Sequence, residues 1–169
     1  DVPEGIQFLV LVFLIFLSGF FSSAETAFST VNRVRMQTLE EEGNKRAAKV
    51  NKILGNYSKM LSAILIGNNI VNLSASALAT TLAIQFGIAV AIATGTLTIV
   101  LLLCGEIVPK TWAMLVADKI TLAYSGIIYG LMQLMTPVIF VVDKLSNGIL
   151  RILHIDPSKK ITTITEAEL

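Results

Sequence analysis

Gly105-Glu106-Ile107-Val108-Pro109-Lys110 closes an uncharged run that begins at Ile88. A carboxylate at the end of an apolar run is costly in hydrocarbon, which makes such an acid a candidate functional group. In an α-helix the N–H of residue 109 would bond the carbonyl of residue 105, and proline has no N–H to give. The Gly105 carbonyl is therefore expected to be free, one residue from the only acid in the region, and the proline to end the span. A carboxylate beside a free carbonyl outlines a cation site. Other segments must supply the remaining oxygens.

The composition points to a membrane. Of 169 residues, 54% are hydrophobic and only 15% are charged, against about 25% charged in soluble domains. Cys104 is the single cysteine and can form no internal disulfide. The chain opens on Asp rather than Met and stops mid-phrase, as a piece of a longer protein would.

Upstream, residues 6–28 form a first apolar segment, long enough against the roughly 20 residues a crossing needs. Asp1 and Glu4 precede it, and Arg33 and Arg35 follow. That order argues against a signal peptide and for a retained span with its N-terminus outside. Toward its end Ser18, Ser22, Glu25, Thr26 and Ser29 recur at helical steps and share a face. Ser23 lies about 100° round from Ser22.

Between residues 31 and 59 seven basic side chains face three glutamates, in a loop short enough for the positive-inside rule. Two amphipathic helices turning at Gly43-Asn44 are expected there. The plain reading is a solvated cytoplasmic hairpin; a lipid-headgroup or partner site is the alternative. The next uncharged segment, Met60 to Phe86, carries Gly67-Asn68-Asn69-Ile70-Val71-Asn72. Asn68, Asn72 and Ser76 fall at i, i+4 and i+8, on one face. Amides are expensive in hydrocarbon unless paired, and interhelical hydrogen bonding is the structural explanation to set against a site.

Ala83, Gly87, Ala91 and Gly95 form a small-residue series suited to close packing, within a subunit or across a dimer. A fourth apolar run, Ile120 to Val142, is broken by Gly126, Gly130 and Pro137. It reads as bent or re-entrant, returning the tail to the cytoplasm, with an interfacial helix near residues 149–155. The candidate groups are all oxygens, and no His, Cys or Met cluster accompanies them. Hard cations are therefore favoured over zinc, copper or iron–sulfur clusters. An intramembrane enzyme is disfavoured, with two acids far apart in sequence and no HExxH.

Ser22-Ser23-Ala24-Glu25-Thr26-Ala27, the Gly67–Asn72 stretch and Gly105–Lys110 together, in this order and spacing, resemble the transmembrane (DUF21) domain of the CorC/CNNM (cyclin M) proteins. The resemblance implies a homodimeric Mg²⁺ transporter, exporting Mg²⁺ in exchange for Na⁺ as the coupling ion. A membrane-embedded Mg²⁺ sensor acting on another transporter is the alternative. It also implies metal ligation by Ser23, Asn68, Asn72, the Gly105 carbonyl and Glu106, with Ser22, Glu25 and Asn69 in reserve. Which serine ligates depends on helix rotation and stays open.

The expected fold is an all-α membrane protein with spans over about 6–28, 60–84 and 87–108. A short cytoplasmic helix pair would occupy 31–58, and bent or juxtamembrane belt helices 119–154. Residues 1–158 would be the transmembrane domain of a multi-pass protein of the plasma or inner membrane. Residues 159–169 would be a linker to a cytoplasmic pair of CBS domains. The expected partners are a second copy, the bilayer and those CBS domains; no cofactor beyond the ions, catalytic residue or nucleic acid is expected.

Overall fold

Three long apolar helices organise the chain. The computed structural model describes residues 2–155, so the linker expected over 159–169 lies outside the described residues. The chain parts into two compact units, residues 1–132 and residues from 133 onward.

In the first unit, α1 (Glu4–Thr30) is followed by a basic hairpin of α2 (Arg33–Glu41) and α3 (Lys45–Gly55). Next come α4 (Tyr57–Gln85), α5 (Val90–Val100), a π-helical stretch (Leu101–Ile107), α6 (Val108–Leu115) and α7 (Ala117–Leu134), whose last two residues belong to the second unit. Helices Glu4–Thr30 and Tyr57–Gln85 and the continuous stretch Val90–Leu115 are each long and apolar enough to cross a membrane. Phe8, Leu9, Phe13 and Phe16 of α1 are exposed. A row of bare aromatic and aliphatic side chains on a 27-residue helix suits lipid, not water.

The hairpin is built by its caps. The Asn32 side chain accepts the N–H of Arg35 at the start of α2, and that of Asn44 accepts those of Arg46 and Ala47 at the start of α3. Gly43, between the helices, has φ +91°, a conformation that costs other residues a steric penalty. The two helices pack together, and Met36 of α2 and Ala47, Val50 and Ile53 of α3 are fully buried.

Helix α1 is the hub, packing against α4, the π segment and α6. Cross-helix contacts join residue 18 to 68, 21 to 67 and 29 to 57, so α1 and α4 run antiparallel. Contacts of residue 18 with 105, and of 27 with 113 and 117, make α1 parallel to the third span. Away from the hairpin, Ala75, Ala79 and Leu97 pack with Leu11, Leu14, Ile15 and Leu101.

The third span departs from the sequence expectation. Pro109 does not end it; helix continues through Pro109 to Leu115. The cause is the π turn. Proline in an α-helix collides with the carbonyl four residues back, but here the preceding turn is wound i→i+5, ending with the Val108 N–H on the Leu103 carbonyl. In that register the acceptor facing residue 109 is Cys104, not Gly105. The carbonyl that the proline deprives of a donor therefore moves back by one residue.

The small-residue series is also interrupted. Gly87, at φ +65°, belongs to the turn between α4 and α5, and Gly95 has no neighbour where a Cβ would stand. In the second unit the helix breaks at Met135 before α8 (Thr136–Ile152). Pro137 cannot donate to the Gln133 carbonyl, and it disfavours helical backbone at Thr136. The pair Ala117–Leu134 and Thr136–Ile152 passes the length and hydropathy test together as a broken span or re-entrant loop.

Candidate ion site in the membrane

The three spans meet at Ser18. Its hydroxyl, fully buried, donates to Asn68 Oδ1 across α1 and α4 at 3.3 Å. From the third span Gly105 lies against the same side chain: a Cβ built there would sit 2.9 Å from Ser18 Oγ. Any side chain at position 105 would push the π segment off α1. A second close approach stands beside it, where a Cβ on Gly19 would lie 3.2 Å from both the Cys104 carbonyl oxygen and the Pro109 ring.

Two oxygens flank this junction without partners. Ser22 Oγ and Asn72 Oδ1 are buried and accept or donate no hydrogen bond among the described residues. Ser22 is one turn beyond Ser18 along α1, and Asn72 one turn beyond Asn68 along α4. Because these helices are antiparallel, the two residues lie on opposite sides of the junction, about 12 Å apart along the axis. The Cα–Cβ bonds of a helix tilt toward its N-terminus, so both side chains lean back toward Ser18 and Asn68.

Glu106, beside Gly105, is half-buried, and among the described residues no ion pair or side-chain hydrogen bond engages it. Glu25 differs. Its carboxylate pairs with Lys110 Nζ at 3.4 Å, both groups being partly exposed, at the end of the polar stripe. Asn69 is exposed on α4 and has no described side-chain partner.

Ser23 faces elsewhere. Its hydroxyl reaches the Phe20 carbonyl at 2.9 Å and the Tyr124 hydroxyl of α7 at 3.2 Å. With its one proton on Phe20, Ser23 accepts from Tyr124 and keeps one acceptor lone pair. Tyr124→Phe should lower stability by about 0.6 kcal/mol, and Ser23→Ala by at least as much. The double variant should lose no more than Ser23→Ala alone, which already removes both the shared bond and the one to the Phe20 carbonyl; additive losses in thermal unfolding would deny the Ser23–Tyr124 bond.

The structure thus brings together Asn68, Gly105 and the neighbourhood of Glu106, sets Ser22 and Asn72 one turn to either side, and directs Ser23 to α7. Sequence reasoning passed over Ser18 as a candidate. Its signal was present, as the first member of the polar stripe, but its importance depends on how α1 and α4 are registered. Among the described residues no group of three or more His, Cys, Asp and Glu side chains is placed to hold a metal. Hydroxyl, amide and carbonyl oxygens with one unpaired carboxylate are the chemistry on offer.

The family model of the cyclin M transmembrane N-terminal domain matches residues 9–169. The chain belongs to the cyclin M (CNNM) family. A UPF0053 protein of Haemophilus influenzae is 38% identical over 98% of this chain and 40% of its own length. The UPF0053 inner membrane protein YfjD of Escherichia coli is 38% identical over 82% of this chain and 33% of its own. A chloroplastic DUF21 domain-containing protein of Arabidopsis thaliana is 36% identical over 96% of this chain and 25% of its own. The chain thus spans two-fifths or less of the length of these relatives. It is a cyclin M membrane domain, of a kind consistent with a transporter or a regulator of one.

Proposed function

We propose that this domain carries Mg²⁺ across the membrane, exporting it in exchange for Na⁺ by alternating access around the Ser18–Asn68–Gly105 junction. The observation that supports this reading is the set of unsatisfied oxygens there. Burying polar groups without partners costs free energy; Ser22 Oγ and Asn72 Oδ1 lie one turn to either side of the junction, and Glu106, with no described side-chain partner, is the residue next to Gly105. A hard cation at the junction would be held by Asn68, Glu106 and the Gly105 or Cys104 carbonyl. Ser22 and Asn72, about 12 Å apart along the axis, would serve it in turn on either side as access alternates. Ser23, bonded to Tyr124, and the exposed Asn69 are the outlying candidate ligands.

Mg²⁺ demands octahedral oxygen ligation and gives up water reluctantly. One carboxylate with neutral oxygens suits a site that must hold the ion and then let it go. On this reading the basic hairpin is cytoplasmic, in accord with the positive-inside rule. The Glu25–Lys110 pair then lies on the cytoplasmic approach, where Lys110 keeps a second carboxylate neutralised until a cation competes for it. The working unit is a homodimer in a plasma or inner membrane, with the CBS pair of the full-length protein beneath it. No catalytic chemistry is assigned to it.

The test is full-length protein alone in Mg²⁺-loaded liposomes, with Na⁺ outside. Mg²⁺ efflux that rises with the Na⁺ gradient is expected. Mg²⁺ binding without flux would make the domain a sensor, and efflux indifferent to Na⁺ would remove the exchange.

A further inference from the structure

A cavity of about 470 Å³ opens where α1 and α6 end together, lined by Asn32, Arg35, Met114, Leu115, Asp118 and Lys119 among others. We propose that it binds the phosphate headgroup of an acidic phospholipid drawn from the leaflet at the basic end of the spans.

Charge supports this first. Asp118 would repel a phosphate if its oxygens were free, but both are engaged. Oδ1 accepts the Asn32 N–H at 3.1 Å and Oδ2 faces Arg35 Nη1 at 3.4 Å. The acid therefore acts as a clasp, fixing the start of α2 and holding Arg35 at the cavity. A guanidinium has five N–H donors, and Arg35, whose side chain is 65% exposed, has most of them to spare. Lys119 is exposed and has no described partner. Arg35 and Lys119 thus face the space, and with Asp118 between them the lining carries one net positive charge.

Apolar surface supports it next, and selects a lipid over a soluble anion. Met114 and Leu115, 63% and 78% exposed, form the other wall. They end a membrane-length helix, and Trp112, also exposed, stands just before them. Tryptophan at the end of a span marks headgroup depth. A phosphate held by Arg35 and Lys119 would leave its acyl chains to run along these residues into the bilayer. Such a lipid would tie the base of the hairpin to the α6–α7 turn, whether or not the domain transports ions.

Full-length protein in nanodiscs of phosphatidylcholine, with or without phosphatidylglycerol, tests this by native mass spectrometry of retained lipid. The wild type should retain phosphatidylglycerol selectively. A basic residue near an anionic headgroup contributes about fivefold in affinity, so R35Q/K119Q should lose about 25-fold with phosphatidylcholine retention unchanged. K45Q/R46Q removes the same charge from exposed positions that do not line the cavity and should behave as wild type. Equal loss in that control, or no selectivity in the wild type, would overturn the site. Because R35Q also loosens the Asp118 clasp, K119Q alone serves as the second variant. It should lose about fivefold at an unchanged unfolding temperature, and unaltered retention would refute the proposal. Displacement of the lipid by inorganic phosphate alone would assign the cavity to soluble anions instead.

Discussion

Gly67→Ala should destabilise the domain by about 1–3 kcal/mol, the usual cost of overpacking a filled interior. A Cβ at this position would lie 2.6 and 2.7 Å from Cζ and Cε1 of Phe21, closer than carbon atoms pack. The ring cannot swing aside without consequence. Phe21 is buried and meets Phe20 edge-on at 5.5 Å, and Phe20 in turn packs on Tyr124 at 4.6 Å. Moving the ring therefore strains the contact that holds α7, while moving α4 instead stretches the adjacent Ser18–Asn68 bond. Phe21→Leu should rescue Gly67→Ala, because it vacates the space the methyl group would take. The pair should show a favourable coupling in a double-mutant cycle of thermal unfolding. A wild-type unfolding temperature for Gly67→Ala would show that the helices part there freely. A destabilised variant that Phe21→Leu fails to rescue would place the cause outside this contact.

The helices were legible because hydrocarbon demands long apolar runs and leaves little choice about where they lie. The turn at Gly43-Asn44 was legible for a similar reason, since a positive φ and a helix cap each require particular residue types. The π turn was not. Assigning Pro109's missing bond to Gly105 assumes i→i+4 winding, and nothing in the residues between Leu101 and Ile107 announces a wider turn. One change of register transferred the unserved carbonyl to Cys104 and let the helix continue to Leu115. The site was half legible. Asparagines and an acid in apolar segments are conspicuous as types, but partnering is a property of rotation and register. Ser22 and Ser23 are equivalent by composition, yet one is bonded to Tyr124 and the other to nothing described. Ser18 looked like an ordinary small polar residue until α4 and the third span were laid against it.

Asn72→Leu should make the ion-free protein more stable and, on the proposed reading of the site, abolish Mg²⁺ transport. Asn72 Oδ1 is buried without a partner, and the α1–α4 register sets this residue opposite Leu14, beside an apolar cluster. An unsatisfied polar atom costs about 1–3 kcal/mol of desolvation, and a side chain of similar shape with no polar atom removes that cost. The gain should appear as a higher unfolding temperature in Mg²⁺-free detergent. Ser22→Ala should act in the same direction for the same reason. Ser18→Ala should act oppositely, because it strips Asn68 Oδ1 of its described donor. Mg²⁺ supplies the second measurement. A ligand that binds the folded state stabilises it, so wild-type protein should gain unfolding temperature on Mg²⁺ addition. Asn72→Leu and Glu106→Gln should not. A merely structural Asn72 predicts the reverse pattern, with stability lost, transport reduced in proportion and the Mg²⁺ response intact. That outcome would remove Asn72 from the site and leave its unpartnered oxygen a packing defect of α4.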